Sequence, residues 1–511
     1  ECLVGSEMCI RDSISSDVYL IKKYYLCIPK SFNGYNSMEM NKVFKDGLWS
    51  KEINVSDFVY TNITPYEGDA SFLAGPTERT KKVWNECLKA LEEERANNGV
   101  RSLDNVTVST ITSHKAGYID RENELIVGLQ TDELLRRAIK PYGGIKVVEK
   151  ACHENGVEVD EKVKDIFTHY RKTHNDGVFD AYTEEIRSFR SLGFLTGLPD
   201  NYARGRIIGD YRRLALYGID RLIEAKQEDL RNITSPMTDA RIRLREEVAE
   251  QIKALKEIKI LGEYYGLDLS RPATNAQEAV QWVYMAYLAA VKEQDGAAMS
   301  LGNVSSFLDI YIQYDLDHGK IDESFAQELV DQFIIKLRMV RHLRMQSYND
   351  IFAGDPTWVT ESIGGRFNDG RTKVTKTSFR FLQTLYNLGP SPEPNMTVLW
   401  SPELPEGFKE FCAQVSIDTS SIQYENDTLM REVRNCDDYG IACCVSYQAI
   451  GKQIQFFGAR CNLAKALLLA INGGRCENTG TVMVKDIPVL TGDLLNFEEV
   501  WSNYKLSLIH I

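Results

Sequence analysis

The stretch DDYGIACCVSYQAIGKQ, which runs from Asp437 to Gln453, places two cysteines side by side, Cys443 and Cys444. The apolar residues around them are typical of a β-strand. Neighbouring side chains in a strand point to opposite faces, so in an extended strand the two thiols would face different compartments. Such a pair suits a relay in which one thiol receives a group and the other delivers it. Two alternatives stay open from these residues alone: buried cysteines that act as small apolar side chains, or a strained vicinal disulfide.

Helical patterns precede this stretch, and short strands lie near it. Asn275 begins a near capping box ahead of a predicted helix. Ser324–Leu343 has the spacing of another amphipathic helix. Strand-rich runs follow at Met396–Trp400 and Tyr439–Tyr447, and loops such as Gly389–Asn395 separate the elements. Helices that alternate with strands predict an α/β architecture.

Composition narrows the class of protein. The chain has 511 residues without a clear linker, which indicates several domains or one large barrel. Its net charge of -13 disfavours nucleic acid or an anionic membrane as a partner, and no apolar run approaches the ~20 residues of a membrane helix. The 11 cysteines form no CxxC pairs, which fits reduced thiols in the cytosol, so a cytoplasmic location is expected. The 7 histidines lack zinc-ligand spacing, so no metal site is expected.

Several long segments carry a resemblance to a known family. They lie in chain order, and the resemblance that they carry covers roughly Met38 to about Ile471. The segments are Thr64–Thr80, Thr110–Asp120, Phe167–Thr183, Leu195–Arg213, Gly354–Gly365, Gly389–Trp400, Val415–Arg431, the run ACCVS around the cysteine pair, and Gly451–Gly474. This set resembles the pyruvate formate-lyase (formate C-acetyltransferase) family of glycyl radical enzymes. The chain departs from the family at Ser446–Gln448, where Ser-Pro-Met is common, and this affects the shape of the loop.

The resemblance implies a fold, an assembly and a reaction. The fold is a ten-stranded α/β barrel with many surrounding helices and with both cysteines on a tight loop at its centre, and the usual assembly is a homodimer. No cofactor is permanently bound. A glycyl radical, generated by a radical S-adenosylmethionine activating enzyme, takes a hydrogen atom from Cys444, and the radical passes to Cys443. The Cys443 thiyl attacks the carbonyl carbon of pyruvate and keeps the acetyl group as a thioester, which coenzyme A removes as co-substrate. Radical chemistry of this kind does not require a cysteine with a lowered pKa.

The resemblance also implies a substrate site. Arg206 and Arg460 match the arginines that bind the pyruvate carboxylate, a role that suits the planar guanidinium fork. Three aromatic residues match those that line the pocket: Trp358, Phe352 and Phe457. Without the resemblance, each aromatic residue would be assigned to the core and each arginine to a solvated surface or helix end.

Three other functions remain as alternatives. A 2-oxobutyrate formate-lyase would share the cysteine pair, since one methylene changes pocket preference by only ~1–3 kcal/mol. Glycyl radical dehydratases and decarboxylases have a single cysteine, often followed by Val-Glu-Pro, whereas the run here is Cys-Cys-Val-Ser. A thiol-redox protein could use the pair as a vicinal disulfide.

The two ends of the chain share an unusual relation. One codon choice for Met8–Ser13 has a reverse complement that encodes Leu506–Ile511, and the element resembles a transposase adapter. We therefore expect 1–12 and 506–511 to be adapter-derived and poorly packed, 13–37 to be a candidate translated upstream region, and 38–505 to be the N-terminal portion of the domain. The family's radical glycine motif, Arg-Val-(Ser/Ala)-Gly-Tyr, does not occur in the 511 residues. The chain alone is expected to be an inactive fragment.

Overall fold

The computed structural model describes residues 43–196, 206–294, 299–352, 357–443, 446–455, 460–490 and 496–509. Within these ranges the helices are α1 (Val55–Asn62), α2 (Glu78–Ala96), α3 (Ile145–Glu154), α4 (Glu161–Asp165), α5 (His174–Ala181), α6 (Glu184–Ser191), α7 (Arg212–Asn232), α8 (Asp239–Tyr264), α9 (Ala276–Glu293), α10 (Ser305–Asp317), α11 (Glu323–Arg338), α12 (Gln346–Phe352), α13 (Lys376–Asn387), α14 (Glu406–Thr419), α15 (Asp427–Arg434), α16 (Leu463–Ile471) and α17 (Phe497–Ile509). Among the described helices, none is both long and apolar enough to cross a bilayer.

Short strands alternate with these helices. They are β1 (Ser102–Val108), β2 (Arg136–Ile139), β3 (Leu195–Thr196), β4 (Arg206–Ile207), β5 (Thr360–Gly364), β6 (Asn395–Trp400), β7 (Ile422–Asn426), β8 (Tyr439–Ala442), β9 (Ser446–Ala449), β10 (Ile454–Gln455) and β11 (Arg460–Cys461). The predicted α/β architecture is confirmed. The strand predicted at Met396–Trp400 is β6.

A parallel three-stranded sheet, β5-β6-β7, forms the centre of the described part. β5 pairs with β6 from Thr360↔Asn395 to Gly364↔Leu399, and β6 pairs with β7. Helices α13 and α14 connect the strands, as parallel strands require a crossover. Gly302 forms an isolated parallel bridge with Glu361, so the segment before α10 runs along the free edge of β5.

The main apolar core lies where α9, α11 and α13 pack together with the sheet. The side chain of Asn275 caps α9 by accepting the Glu278 N–H at 2.9 Å, as the near capping box predicts. Most residues of α9 are buried, so this helix is surrounded by protein on nearly all sides.

Helix α11 differs from the amphipathic helix predicted over Ser324–Leu343. It ends at Arg338, and all of its residues from Ala326 to Arg338 are buried. The amphipathic pattern predicts a solvated face, and this was wrong because the polar side chains on that face form ion pairs with other segments. Glu328 accepts two bonds from Arg79 at 3.0 and 2.7 Å, and Lys336 donates to Glu124.

The C-terminal helix α17 packs against α16. Ser507 is fully buried, its hydroxyl donates to the Ala466 carbonyl at 3.2 Å, and Leu508 contacts an apolar cluster that contains Leu469. The expected poor packing at this end was therefore wrong for Ser507 and Leu508, because α17 turns these two residues toward α16, whereas Leu506 is 38% exposed. The expectation for residues 1–12 and 13–37 lies outside the described residues.

Candidate active site

Cys443 lies at the tip of an antiparallel hairpin formed by β8 and β9, whose register runs from Tyr439↔Ala449 to Ala442↔Ser446. The strand-rich run Tyr439–Tyr447 forms two strands rather than one, since the chain reverses direction at Cys443, as the expected tight loop requires. Cys443 has φ of 64°, in the left-handed region, and is only 5% exposed. The argument that two thiols in an extended strand face opposite sides therefore does not apply. Cys444 lies outside the described residues.

The backbone of Cys443 is held from two directions. Its N–H donates to the Ser300 hydroxyl at 2.9 Å, and its carbonyl accepts from the Thr360 hydroxyl. A non-glycine residue in the left-handed region carries a strain of roughly 1–3 kcal/mol, which persists only where the surroundings impose it. The two buried hydroxyls are such surroundings.

Strand β5 presents alternate side chains to the hairpin, as the two-residue period of a strand requires. Thr360 bonds to Cys443, and the Ser362 hydroxyl accepts the Ile441 N–H at 2.8 Å. Glu361 points the other way and accepts the N–H groups of Val304 and Ser305 at the beginning of α10. Burial raises the pKa of Glu361 to about 8, although these hydrogen bonds favour the charged form.

A buried ion pair fixes the base of the hairpin. Asp438, the residue before β8, accepts two bonds from the Arg212 guanidinium at 2.9 and 2.7 Å, and Asp210 accepts a third at 2.7 Å. Arg212 is 1% exposed. Burial raises the pKa of Asp438, but attraction to Arg212 outweighs burial and holds it below its usual range. The bidentate geometry ties the hairpin to the beginning of α7 in one orientation.

The hairpin packs closely on the segment that precedes α10. A Cβ atom on Gly440 would lie 2.7 Å from the Cα of Gly302, so a side chain does not fit between these backbones. Ile208, Ala442 and Ile450 form a small buried apolar cluster beside this contact. The turn at Cys443 is therefore held by close packing of the Gly440 and Gly302 backbones as well as by hydrogen bonds and an ion pair.

The predicted arginines are placed by their backbones only, because their side chains lie outside the described part. Arg206, in β4, pairs with Gln455 in β10. Two residues on, Ile208 donates its N–H to Gln448 Oε1 at 2.9 Å and packs with Ala442, which precedes Cys443. Arg460, in β11, pairs with Thr196. The residue that follows β4 therefore contacts the β8–β9 hairpin. That the guanidinium groups of Arg206 and Arg460 point toward Cys443 stays a prediction.

Of the predicted aromatic residues, Trp358 is the one whose side chain is described. It has φ of 47°, its ring centroid lies 6.5 Å from that of Tyr348, and its N–H donates to the Glu393 carboxylate. Its carbonyl lies 3.4 Å from the Ser300 hydroxyl that also contacts Cys443. Phe352 ends α12 with its side chain outside the described part, and Phe457 is outside the described residues.

Sequence reasoning did not identify the polar residues that support the turn: Ser300, Thr360, Ser362, Glu393, Gln448, Arg212 and Asp438. Four of them do lie inside segments that carry the family resemblance: Thr360 and Ser362 in Gly354–Gly365, Glu393 in Gly389–Trp400, and Arg212 in Leu195–Arg213. Asp438 lies in the stretch that contains the cysteine pair. Serine and threonine hydroxyls have no spacing rule that would have indicated Ser300 or Thr360, because their partner is distant in sequence.

A separate apolar cleft of about 470 Å³ lies between β6, β7 and α14. Its lining residues include Trp400, Phe408, Cys412 and Tyr424, and it contains none of the predicted site residues. The thiol of Cys412 is buried there, and burial raises its pKa. We therefore do not assign the chemistry to this cleft.

The sequence of the chain matches a known family and a known enzyme over most of its length. A family model described as pyruvate formate lyase-like matches residues 48–511. Formate acetyltransferase of Haemophilus influenzae is 57% identical over 471 residues, a match that covers 90% of this chain and 61% of that protein. The chain thus spans less than two thirds of this relative's length.

Solved structures share the fold at low identity. The B12-independent glycerol dehydratase of Clostridium butyricum matches with a TM-score of 0.68 and 21% identity, over 86% of this chain and 63% of that one. A glycyl radical enzyme of Archaeoglobus fulgidus matches with a TM-score of 0.63 and 18% identity, over 86% and 61% of the two chains. These matches support the mixed α/β fold of glycyl radical enzymes for the described part.

Proposed function

The chain belongs to the pyruvate formate lyase-like family, and we propose that the enzyme built on it converts pyruvate and coenzyme A to acetyl-CoA and formate. The observation that carries this proposal is the placement of Cys443 on a strained, buried turn that several distant segments hold in place. A thiol of this kind is fixed relative to its substrate and shielded from water. Both properties suit covalent radical chemistry, in which misplaced or wet intermediates are lost to side reactions.

The reaction divides into two steps at Cys443. A glycyl radical supplies the initial removal of a hydrogen atom from Cys444. The Cys444 thiyl takes the hydrogen atom of the Cys443 thiol, which leaves the radical on Cys443. The Cys443 thiyl then adds to the carbonyl carbon of pyruvate, the bond between the carbonyl and carboxylate carbons breaks, and an acetyl thioester remains on Cys443. The departing carboxylate radical takes a hydrogen atom from the Cys444 thiol and leaves as formate, so the radical returns to Cys444. Coenzyme A attacks the thioester, takes the acetyl group and restores the Cys443 thiol.

Arg206 and Arg460 are proposed to bind the pyruvate carboxylate, and Trp358, Phe352 and Phe457 to line the pocket. The backbone connection from Arg206 through Ile208 to Ala442 supports a position of Arg206 near the thiol. The Ser300 hydroxyl lies within hydrogen-bonding distance of the backbones of both Cys443 and Trp358, which supports a position of Trp358 near the thiol. Coenzyme A as co-substrate, a radical S-adenosylmethionine activating enzyme, a homodimer and the cytosol are proposed from family membership.

The test joins this chain to the part of the Haemophilus protein that it does not match. The fusion is incubated anaerobically with an activating enzyme and S-adenosylmethionine, and formate and the electron paramagnetic resonance spectrum are recorded. We expect a glycyl doublet and formate production from pyruvate. Cys443→Ser and Cys444→Ser should each abolish formate, whereas Cys412→Ser, at another buried thiol, should retain it. Formate from the Cys443→Ser variant would refute the proposal.

Two further measurements sharpen the assignment. With labelled pyruvate and no coenzyme A, the acetyl group should be found on Cys443, and label on Cys444 would reverse the two roles. Comparison of kcat/KM for pyruvate and 2-oxobutyrate decides between the two substrates. The 511 residues do not contain the family's radical glycine motif, so this chain alone is expected to give neither doublet nor formate, and a doublet from it would contradict that expectation.

A further inference from the structure

We infer that Ser300 and Thr360 are positioning residues that hold the Cys443 backbone in the conformation that aims its thiol. The inference rests on the proposed function for its catalytic consequence, but the geometry it describes can be tested without turnover. Neither residue is among those that the sequence predicts for the site. Both hydroxyls belong to fully buried residues, so water does not compete for their hydrogen bonds.

The two hydroxyls act on opposite sides of one residue. Ser300 accepts the Cys443 N–H at 2.9 Å, and Thr360 donates to the Cys443 carbonyl. Together they fix the peptide planes before and after the Cα atom, which determines φ and ψ. Since φ of Cys443 is 64°, the turn would relax toward a more populated backbone conformation if either bond were lost.

Both hydroxyls are themselves rigidly placed. Thr360 begins β5, which is paired along its length with β6. Ser300 lies between two backbone bonds to the same segment, Met299 N–H to Thr357 O at 3.0 Å and Leu301 N–H to Thr360 O at 2.8 Å. The position of Cys443 is thus fixed relative to the sheet that contains β5 and β6.

Ser300 also links two parts of the site. Its hydroxyl lies 3.4 Å from the carbonyl of Trp358, a predicted pocket residue, so one side chain sets the spacing between that residue and the thiol. The N–H groups of Thr357 and Trp358 donate to Glu393, which holds the other side of this segment. Loss of the Ser300 hydroxyl should therefore disturb thiol and pocket together, whereas loss of the Thr360 hydroxyl should disturb the thiol alone.

The first experiment uses the chain without activation. The rate at which iodoacetamide alkylates Cys443 under native conditions is measured by peptide mass spectrometry for Ser300→Ala and Thr360→Val. We expect the rate to rise about tenfold in both, because the turn opens locally more often. Thr360→Ser, which keeps the hydroxyl, should restore the parent rate.

Matched controls separate positioning from general loss of stability. The buried Ser306 hydroxyl donates to the Lys373 carbonyl at 3.0 Å, and the buried Thr384 hydroxyl donates to the Phe381 carbonyl at 2.7 Å. Ser306→Ala and Thr384→Val should each leave Cys443 alkylation within about twofold of the parent. Equal acceleration in test and control variants, or none in either, would overturn the inference.

The second experiment uses the activated fusion. In Ser300→Ala and Thr360→Val, kcat for formate should fall about 100-fold, since a shift of the reacting atom by about 1 Å has effects of that size. The glycyl doublet should keep its amplitude, and Thr360→Ser should recover most of kcat. The KM for pyruvate should change in Ser300→Ala and stay unchanged in Thr360→Val. An unchanged kcat refutes the inference but leaves the proposed function intact. If the parent fusion makes no formate, the proposed function fails, and the alkylation rates still decide the positioning roles.

Discussion

Helix α9 and the β8–β9 hairpin are both deeply buried, yet different forces hold them. Ala279, Val283 and Leu288 of α9 are fully buried in the large apolar core, and contacts from several helices surround them. Tyr439 and Ile441 of the hairpin are equally buried. The hairpin, however, is attached through hydroxyls, a glutamine amide and an ion pair, and its apolar cluster is small.

The difference shows that apolar contacts supply most of the stability, whereas polar contacts fix the position of the hairpin. Apolar contacts are non-directional and scale with the area removed from water, so a helix in the core gains stability without a unique placement of each atom. Hydrogen bonds have narrow preferred distances and angles, so they place a backbone precisely while adding only about 1 kcal/mol each. We therefore expect core mutations to lower the free energy of unfolding, and loss of a single hydroxyl bond to Cys443 to change mainly the geometry of the turn.

The largest loss of stability is expected from the core. Phe333 of α11 is fully buried and its ring lies 6.3 and 6.2 Å from those of Tyr284 and Phe381. Phe333→Ala should lower the free energy of unfolding by about 3–5 kcal/mol, because it removes apolar contact and leaves a cavity. Urea unfolding measures this loss. A loss below about 1 kcal/mol would show that the core is not the main source of stability.

Next in size is the ion pair at the base of the hairpin. Asp438→Asn should cost about 3 kcal/mol, the lower end expected when a buried pair loses one partner, because Arg212 keeps Asp210. Asp437→Asn is the matched control, since that carboxylate accepts the Asn368 N–H at an exposed position. Equal losses from the two variants would remove the special role assigned to the pair.

The pH dependence of stability should carry a contribution from Glu361. Burial raises the pKa of Glu361 to about 8 in the folded chain, whereas a glutamate in an unfolded chain has a pKa of about 4.3. Between these two pH values the folded state holds a proton that the unfolded state has released. This contribution favours folding at low pH and is lost as pH rises, by at most about 1.4 kcal/mol per pH unit. Urea titrations between about pH 6 and about pH 8 should show a flatter pH dependence in Glu361→Gln than in the parent. An identical slope would mean that Glu361 is already charged.

The smallest effect is expected at an exposed ion pair. Lys259 of α8 and Asp220 of α7 are 2.9 Å apart, with side chains 38% and 61% exposed. Lys259→Ala should change the free energy of unfolding by less than about 1 kcal/mol, since water and salt screen the pair. Comparison of the unfolding free energies of Lys259→Ala and Asp438→Asn shows how much of the effect depends on burial of the ion pair.

The sequence predicted those features whose causes lie close together in the chain. The Asn275 cap acts on an N–H three residues away, and β6 is an apolar run, so both were recognised from local pattern. The long segments around the cysteine pair identified the family and, through it, the fold. Residues such as Cys444 and Phe457 stay predictions, because they lie outside the described residues.

Only the tertiary structure decided how Cys443 is held. An apolar run around two cysteines predicts a strand, but the chain turns at Cys443 because Ser300, 143 residues away, and Thr360, 83 residues away, bond to its backbone. The same holds for α11, whose amphipathic spacing predicts a solvated face, whereas Glu328 and Lys336 on that face pair with Arg79 and Glu124. The spacing of polar and apolar residues within a segment indicates whether that segment prefers water or a core. It does not record which distant partner will satisfy a buried polar group, and that partner sets the final geometry.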